Sequence, residues 1–213
     1  MKKIKGLIYD LDGTLISTQK LHETGWLYAG KKFNIPISKE MLLNQSGISN
    51  EEASLMMLPG NKKNLAKKFI KAKVEYVNKN LKRITLFPSA LKTIQQLDKK
   101  GYAVWICTSA HKNFVKAIKA LKIIKKIGNK IIWREMYKKG KPSPEALNLT
   151  MSKMGLANSQ IYYIGDALND YKTSVKAGVK FIYFCPSVNR KDLRIPKSVK
   201  VISSHKEILE LLK

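Results

Sequence analysis

Cysteine is nearly absent. The 213-residue chain has two, Cys107 and Cys185, far apart and each inside an apolar strand-like run. Such a pair does not make a disulfide framework, so buried free thiols and a cytoplasmic location are expected. The three histidines are scattered and give no zinc-ligand spacing. No apolar run reaches the roughly eighteen residues of a membrane span. The basic Met1-Lys2-Lys3 is followed by an apolar stretch broken by Lys5 and Asp10, unlike a secretory signal. A Gly-x-x-x-x-Gly-Lys-Ser/Thr loop is missing, which excludes the P-loop nucleotide hydrolases. Cys107 has no arginine six residues on, so a cysteine nucleophile is unsupported. Acidic residues are few, 15 against 41 Lys and Arg, for a net charge of +26. A polyanionic partner is one reading of that charge. The basic residues are overwhelmingly scattered lysines, and no segment interleaves arginine with aromatics, so a compositional habit is favoured over nucleic-acid binding.

What the chain does have is a hydrophobic content of 44%, ordinary for a globular protein. Apolar runs recur at Ile4–Tyr9, Tyr102–Cys107, Lys130–Trp133, Ile161–Ile164, Lys180–Phe184 and Lys200–Ile202. Helical patterns lie between the later ones, at Pro88–Lys100, Asn113–Ile124, Pro144–Met154 and Asn169–Ala177. This alternation predicts an α/β fold with a doubly wound, Rossmann-like parallel sheet. From about Ser17 to Arg83 the rhythm breaks into helices alone, near Gln19–Phe33, Lys39–Asn44, Asn50–Met57 and Lys62–Leu81. The predicted organisation is a core of residues 1–16 and 84–213 with an inserted, all-helical cap domain of residues 17–83. Open α/β sheets bind ligands at the carboxyl ends of their strands, where such a cap could close over a site.

The stretch Asp10-Leu11-Asp12-Gly13-Thr14-Leu15 closes the first strand. Two carboxylates that close repel unless a cation sits between them. Gly13 permits the tight turn such a site needs. Asp-x-Asp-Gly-Thr after a buried strand resembles the signature of the haloacid dehalogenase (HAD) superfamily, whose members are mostly magnesium-dependent phosphatases. Three later segments resemble its other motifs. Thr108-Ser109 follows the strand ending at Cys107. Lys141 stands in Gly140-Lys141-Pro142-Ser143-Pro144. Gly165-Asp166-Ala167-Leu168-Asn169-Asp170 resembles the acidic Gly-Asp-x-x-x-Asp motif.

The resemblance spans the whole chain and implies roles for these residues. Asp10 is the expected nucleophile, forming an aspartyl-phosphate, and Asp12 the acid and base. Thr108, Ser109 and Lys141 are expected to bind phosphate. Asp10, Asp166, the Asp12 main-chain carbonyl, and Asp170 as ligand or water-orienting group would hold Mg2+. An acid at position 12 separates the chain from the dehalogenases, whose halide leaves without a proton. Within the superfamily the chain resembles the helical-cap branch of phosphoglycolate phosphatase-like and β-phosphoglucomutase-like proteins. His22 and the loop Ser46-Gly47-Ile48-Ser49, with Gly47 the chosen contact, correspond to its substrate-binding cap positions, and Lys73 and Tyr76 could join them. Asn50 stands where the mutases carry an arginine for a second phosphate, which favours a phosphatase acting on a small phosphorylated metabolite over a sugar-phosphate mutase. The third reading is a basic nucleic-acid-binding protein on the same fold. No membrane partner is expected, and the expected state is a monomer.

Overall fold

The computed structural model describes residues 3–45, 49–120, 130–186 and 194–213. The chain divides into two compact units, one of Met1–Ser17 with Thr85–Lys213 and one of Thr18–Ile84. The strands in chain order are β1 (Gly6–Tyr9), β2 (Ile16–Ser17), β3 (Thr85–Leu86), β4 (Ala103–Cys107), β5 (Ile131–Ile132), β6 (Ile161–Gly165), β7 (Lys180–Phe184) and β8 (Lys200–Ile202). Six of them form one sheet in the order β5-β4-β1-β6-β7-β8, every pairing parallel. Successive residues Leu7, Ile8 and Tyr9 are all fully buried, so both faces of β1 are covered. The strand order turns around at β1, and Tyr9 lies level with Ile106 on one side and Ile164 on the other. A crevice at the carboxyl end of such a reversal is where this class of sheet takes its ligand. The antiparallel pair β2–β3, with Ile16 opposite Leu86 and Ser17 opposite Thr85, was not expected. Two residues are too few for a period-2 pattern to register.

The helical unit contains α1 (Gln19–Phe33), α2 (Lys39–Asn44), α3 (Asn50–Met57) and α4 (Ala66–Lys79). The first three coincide with the sequence reading. The expected helix over Lys62–Leu81 is instead a 3-10 stretch, Gly60–Leu65, leading into the shorter α4. Pro59 precedes it, and Lys62 N–H bonds the Pro59 carbonyl in a three-residue step. Ser49 and Glu52 close a reciprocal capping box at the start of α3. The unit's own core centres on Trp26, stacked on Phe69 at 5.4 Å, with Phe33 edge-on to Phe69 at 5.9 Å.

In the α/β unit the sheet is accompanied by α5 (Ala90–Lys99), α6 (Lys112–Ala120), α7 (Glu145–Met154), α8 (Leu168–Ala177) and α9 (Glu207–Leu211). α6 starts one residue before its predicted position, and the predicted part beyond Ala120 lies outside the described residues. α9, with five residues, is too short to announce itself by periodicity. Cys107 and Cys185 are buried free thiols. Among the described residues no helix is long and apolar enough to cross a membrane.

Candidate active site

Asp10 extends β1 by one residue, its N–H donating to the Ile164 carbonyl at 2.8 Å. The chain then folds on itself: Leu15 and Ile16 N–H both donate to the Leu11 carbonyl, and Gly13 N–H to that of Ile16. Gly13 has φ of +83°, and a Cβ there would collide with the Asp166 carboxylate. Gly165 answers the same need on β6, since a Cβ there would run into the Asp170 side chain. The two glycines allow two acidic residues to close on the end of β1.

Lys141 Nζ donates to Asp10 Oδ1 at 2.7 Å and to Asp170 Oδ1 at 2.6 Å, although these residues lie 131 and 29 positions away. Asp170 Oδ1 also accepts from the buried Tyr163 hydroxyl at 2.6 Å, and Oδ2 from Ala167 N–H at 3.1 Å. Asp170 thus closes the first turn of α8 with one oxygen and holds Lys141 with the other. Thr14 Oγ1 donates to Asp166 Oδ1 at 2.9 Å. Oxygens of Asp10, Asp166 and Asp170 all lie within 4.8 Å of one another.

Burial is the main force on these groups. It pushes the Asp10 carboxyl up to about 7; Lys141 pulls it back and Asp170 pushes it further. Burial likewise raises Asp166, helped by the charges of Asp170, Asp10 and Asp12 and opposed by the Thr14 hydrogen bond. Burial alone would discharge Lys141, but Asp10 and Asp170 outweigh it and hold the ammonium well above its usual range. With all three carboxyls ionised, one ammonium would leave an excess of two negative charges in a poorly solvated place, which is why Asp10 and Asp166 are pushed toward their neutral forms. A divalent cation would offset that excess, and hard oxygen donors are what magnesium-class ions take. The donor set therefore fits a divalent metal. Three of the four carboxylate lone-pair directions on Asp170 are engaged, leaving one on Oδ2.

The other expected residues fall as follows. Asp12 is half-buried in the loop, where it bridges to Ile16. The register sets Tyr9 level with Ile106, and Thr108 stands two residues beyond Ile106 at the same edge. Thr108 is buried, its Oγ1 accepting from Ala110 N–H and its carbonyl from the Tyr137 hydroxyl at 3.0 Å. Ser109 is exposed. His22 lies half-buried in the first turn of α1, in the helical unit. Gly47 lies outside the described residues. Lys73 is buried, donates to Asn50 Oδ1 at 2.8 Å and stands 5.1 Å over the Trp26 ring. Tyr76 stacks on Tyr28. Tyr163 and His205 escaped the sequence reading. Each sits in an ordinary local context, and only the assembled fold shows what it touches.

The family model for haloacid dehalogenase-like hydrolases matches residues 7–184. The chain is 25% identical to the pyrophosphatase PpaX of Oceanobacillus iheyensis, over 83% of this chain and 81% of the relative. It is 25% identical to a phosphoglycolate phosphatase of Haemophilus influenzae, over 80% of each chain. Among solved structures, a HAD hydrolase of family IA from Entamoeba histolytica superposes with a TM-score of 0.83 at 22% identity, covering 98% of both chains.

Proposed function

The chain belongs to the haloacid dehalogenase-like hydrolase family, and from that premise we propose that it is a magnesium-dependent phosphatase that hydrolyses a small phosphomonoester through an aspartyl-phosphate on Asp10. The observation that carries the reading is the convergence of Asp10, Asp166 and Asp170 within 4.8 Å, with Lys141 bonded to the first and last of them.

The residues divide the work. Asp10 attacks phosphorus, and the bond from phosphorus to the leaving oxygen breaks as Asp12 gives that oxygen a proton. Water then attacks the phosphorus of the acyl phosphate, Asp12 takes a proton from it, and inorganic phosphate leaves with the Asp10 carboxylate restored. Lys141 favours the ionised form of Asp10 and stands ready for the phosphate's negative charge. Asp170 and Tyr163 hold Lys141 in place. Asp10, Asp166 and the Asp12 carbonyl are the groups that would hold magnesium, which supplies positive charge beside the transferring phosphoryl oxygens when bound. Thr108 offers its hydroxyl at the same edge. At the Asn50 position the side chain is an amide bonded to Lys73, which supports hydrolysis over transfer to a second sugar hydroxyl.

The test is a screen of phosphorylated metabolites, with phosphoglycolate, sugar phosphates and pyrophosphate included, measuring phosphate release. Release is expected with magnesium, should vanish with a chelator, and should fall at least about ten-thousandfold in Asp10→Asn. Full activity in that variant, or in the chelated enzyme, refutes the reading. Salt-sensitive nucleic-acid binding without any phosphate release would replace it with the binder alternative.

A further inference from the structure

We propose that His205 is a positioning residue that fixes the Asp10–Ile16 loop, and through it Asp166, by donating a hydrogen bond from its Nε2 to the Thr14 main-chain carbonyl. The role rests on the phosphatase reading above.

His205 lies between β8 and α9, fully buried and 191 residues from Thr14 in the sequence. Its Nε2 is 2.9 Å from the Thr14 oxygen. A carbonyl only accepts, so the ring nitrogen must carry the proton there. The ring is clamped: Phe184, the last residue of β7, stacks on it at 4.4 Å with an interplanar angle of 18°, and Tyr9 of β1 leans against it at 5.9 Å. Its Nδ1 is buried and has no hydrogen-bond partner among the described residues. That suits a bare nitrogen better than an N–H, because an unmatched donor is the rarer and costlier defect. Burial also pulls the imidazole down to about 4, so the ring is neutral near pH 7.

Thr14 is itself fully buried and makes two bonds of consequence. Its carbonyl accepts from His205, and its hydroxyl donates to Asp166 Oδ1 at 2.9 Å. A turn of this residue toward another partner would move both together. Two hydrogen bonds thus lead from a histidine outside every motif to a carboxylate proposed to hold the metal. Groups that orient a ligating carboxylate in this way set affinity and activity without touching the ion.

Three measurements on the full chain decide the matter. Nitrogen-15 NMR of the wild-type ring should show protonated Nε2 and bare Nδ1 at pH 7; an Nδ1–H tautomer or a charged ring overturns the proposal. Magnesium titration by calorimetry, without substrate, should show affinity about tenfold weaker in His205→Leu, which fills the space and cannot donate. His205→Gln, which keeps an amide donor near the position of Nε2, should regain most of that affinity. In the same variants kcat should follow magnesium affinity while the substrate KM stays close to wild type. Equal magnesium affinity in wild type and leucine variant, or a glutamine variant no better than leucine, overturns the role. Should the leucine variant fail to fold, His205→Asn, whose shorter amide falls short of Thr14, takes its place with the same expected loss. If wild type releases no phosphate from any substrate, the phosphatase reading fails, while the tautomer and calorimetry still judge His205.

Discussion

On one flank of the site Lys141 stands between Asp10 and Asp170 at 2.7 and 2.6 Å, an arrangement of full charges. On the other flank Asp166 is reached by the hydroxyl of Thr14, and Thr14 in turn by the imidazole of His205, both neutral donors. The first flank is strong and brittle. Removing one member strands the others as buried ions, which costs more than the pair was worth. The second is directional and less costly to lose, since a buried acceptor left unmatched by a neutral donor costs about 1–3 kcal/mol rather than the penalty of a stranded ion. The chemistry assigned to Asp10 needs the charged flank, where negative charge must accumulate. Holding a loop in register needs only the neutral one.

Lys141→Met should break the comparison most violently. It removes the ammonium that pulls Asp10 down and leaves Asp10 and Asp170 without a countercharge. We expect kcat to fall by about a hundred- to a thousandfold. In metal-free protein the loss of stability should approach 3–5 kcal/mol, measured by urea unfolding. Its pH dependence has a definite sign. The folded Asp10 carboxyl sits at about 7, above the range of an unfolded one, so folding takes up a proton between the two. Wild-type metal-free protein therefore loses stability from this group as pH rises from about 4 to 7. Without Lys141 the carboxyl moves higher still, so the deficit of the variant should be larger at pH 8.5 than at pH 6. A deficit independent of pH would show that Lys141 acts by packing alone.

Asp170→Asn should come next, about ten- to a hundredfold in kcat. Lys141 keeps Asp10 but loses its second anchor, and Tyr163 loses a charged acceptor. The amide retains most of the shape, so the helix start should survive. If Asp170 were instead a principal metal ligand, magnesium affinity would collapse while the Lys141–Asp10 pair stayed intact. Calorimetry of magnesium binding beside a kcat measurement separates the two roles.

These flanks were unequally legible in the sequence. Asp10, Thr108 and Asp166 stand out because each follows an apolar run, and a polar residue at the end of a buried strand is a local pattern. Lys141 is one lysine among many and was marked by its Gly-Lys-Pro-x-Pro setting. Ala167 precedes α8 and only Asp170 caps it, leaving Asp166 turned to Thr14. The neutral flank was silent. Thr14 to Asp166 spans 152 residues and His205 to Thr14 spans 191, and no local periodicity encodes such a bond. The same limit applied to the fold. Helices with a full apolar stripe were placed well, whereas the β2–β3 pair and α9 were too short, and Gly60–Leu65 wound more tightly than its pattern suggested.

Thr14→Val gives the smallest and sharpest effect. The substitution keeps the branched shape and the main-chain carbonyl that accepts from His205, and deletes only the hydroxyl on Asp166. We expect magnesium affinity and kcat to fall by about tenfold or less near neutral pH. The Thr14 hydrogen bond favours the ionised form of Asp166, whose carboxyl is already raised by burial and by the neighbouring acids. Without that bond the carboxyl rises further, so protons compete more effectively with the metal. Wild-type magnesium affinity should weaken as pH falls through the Asp10 value of about 7, and the variant's affinity should weaken faster and from a higher pH. Parallel pH profiles for the two proteins would mean that the hydroxyl merely fills space, and that the neutral flank reaches Asp166 by some route other than Thr14.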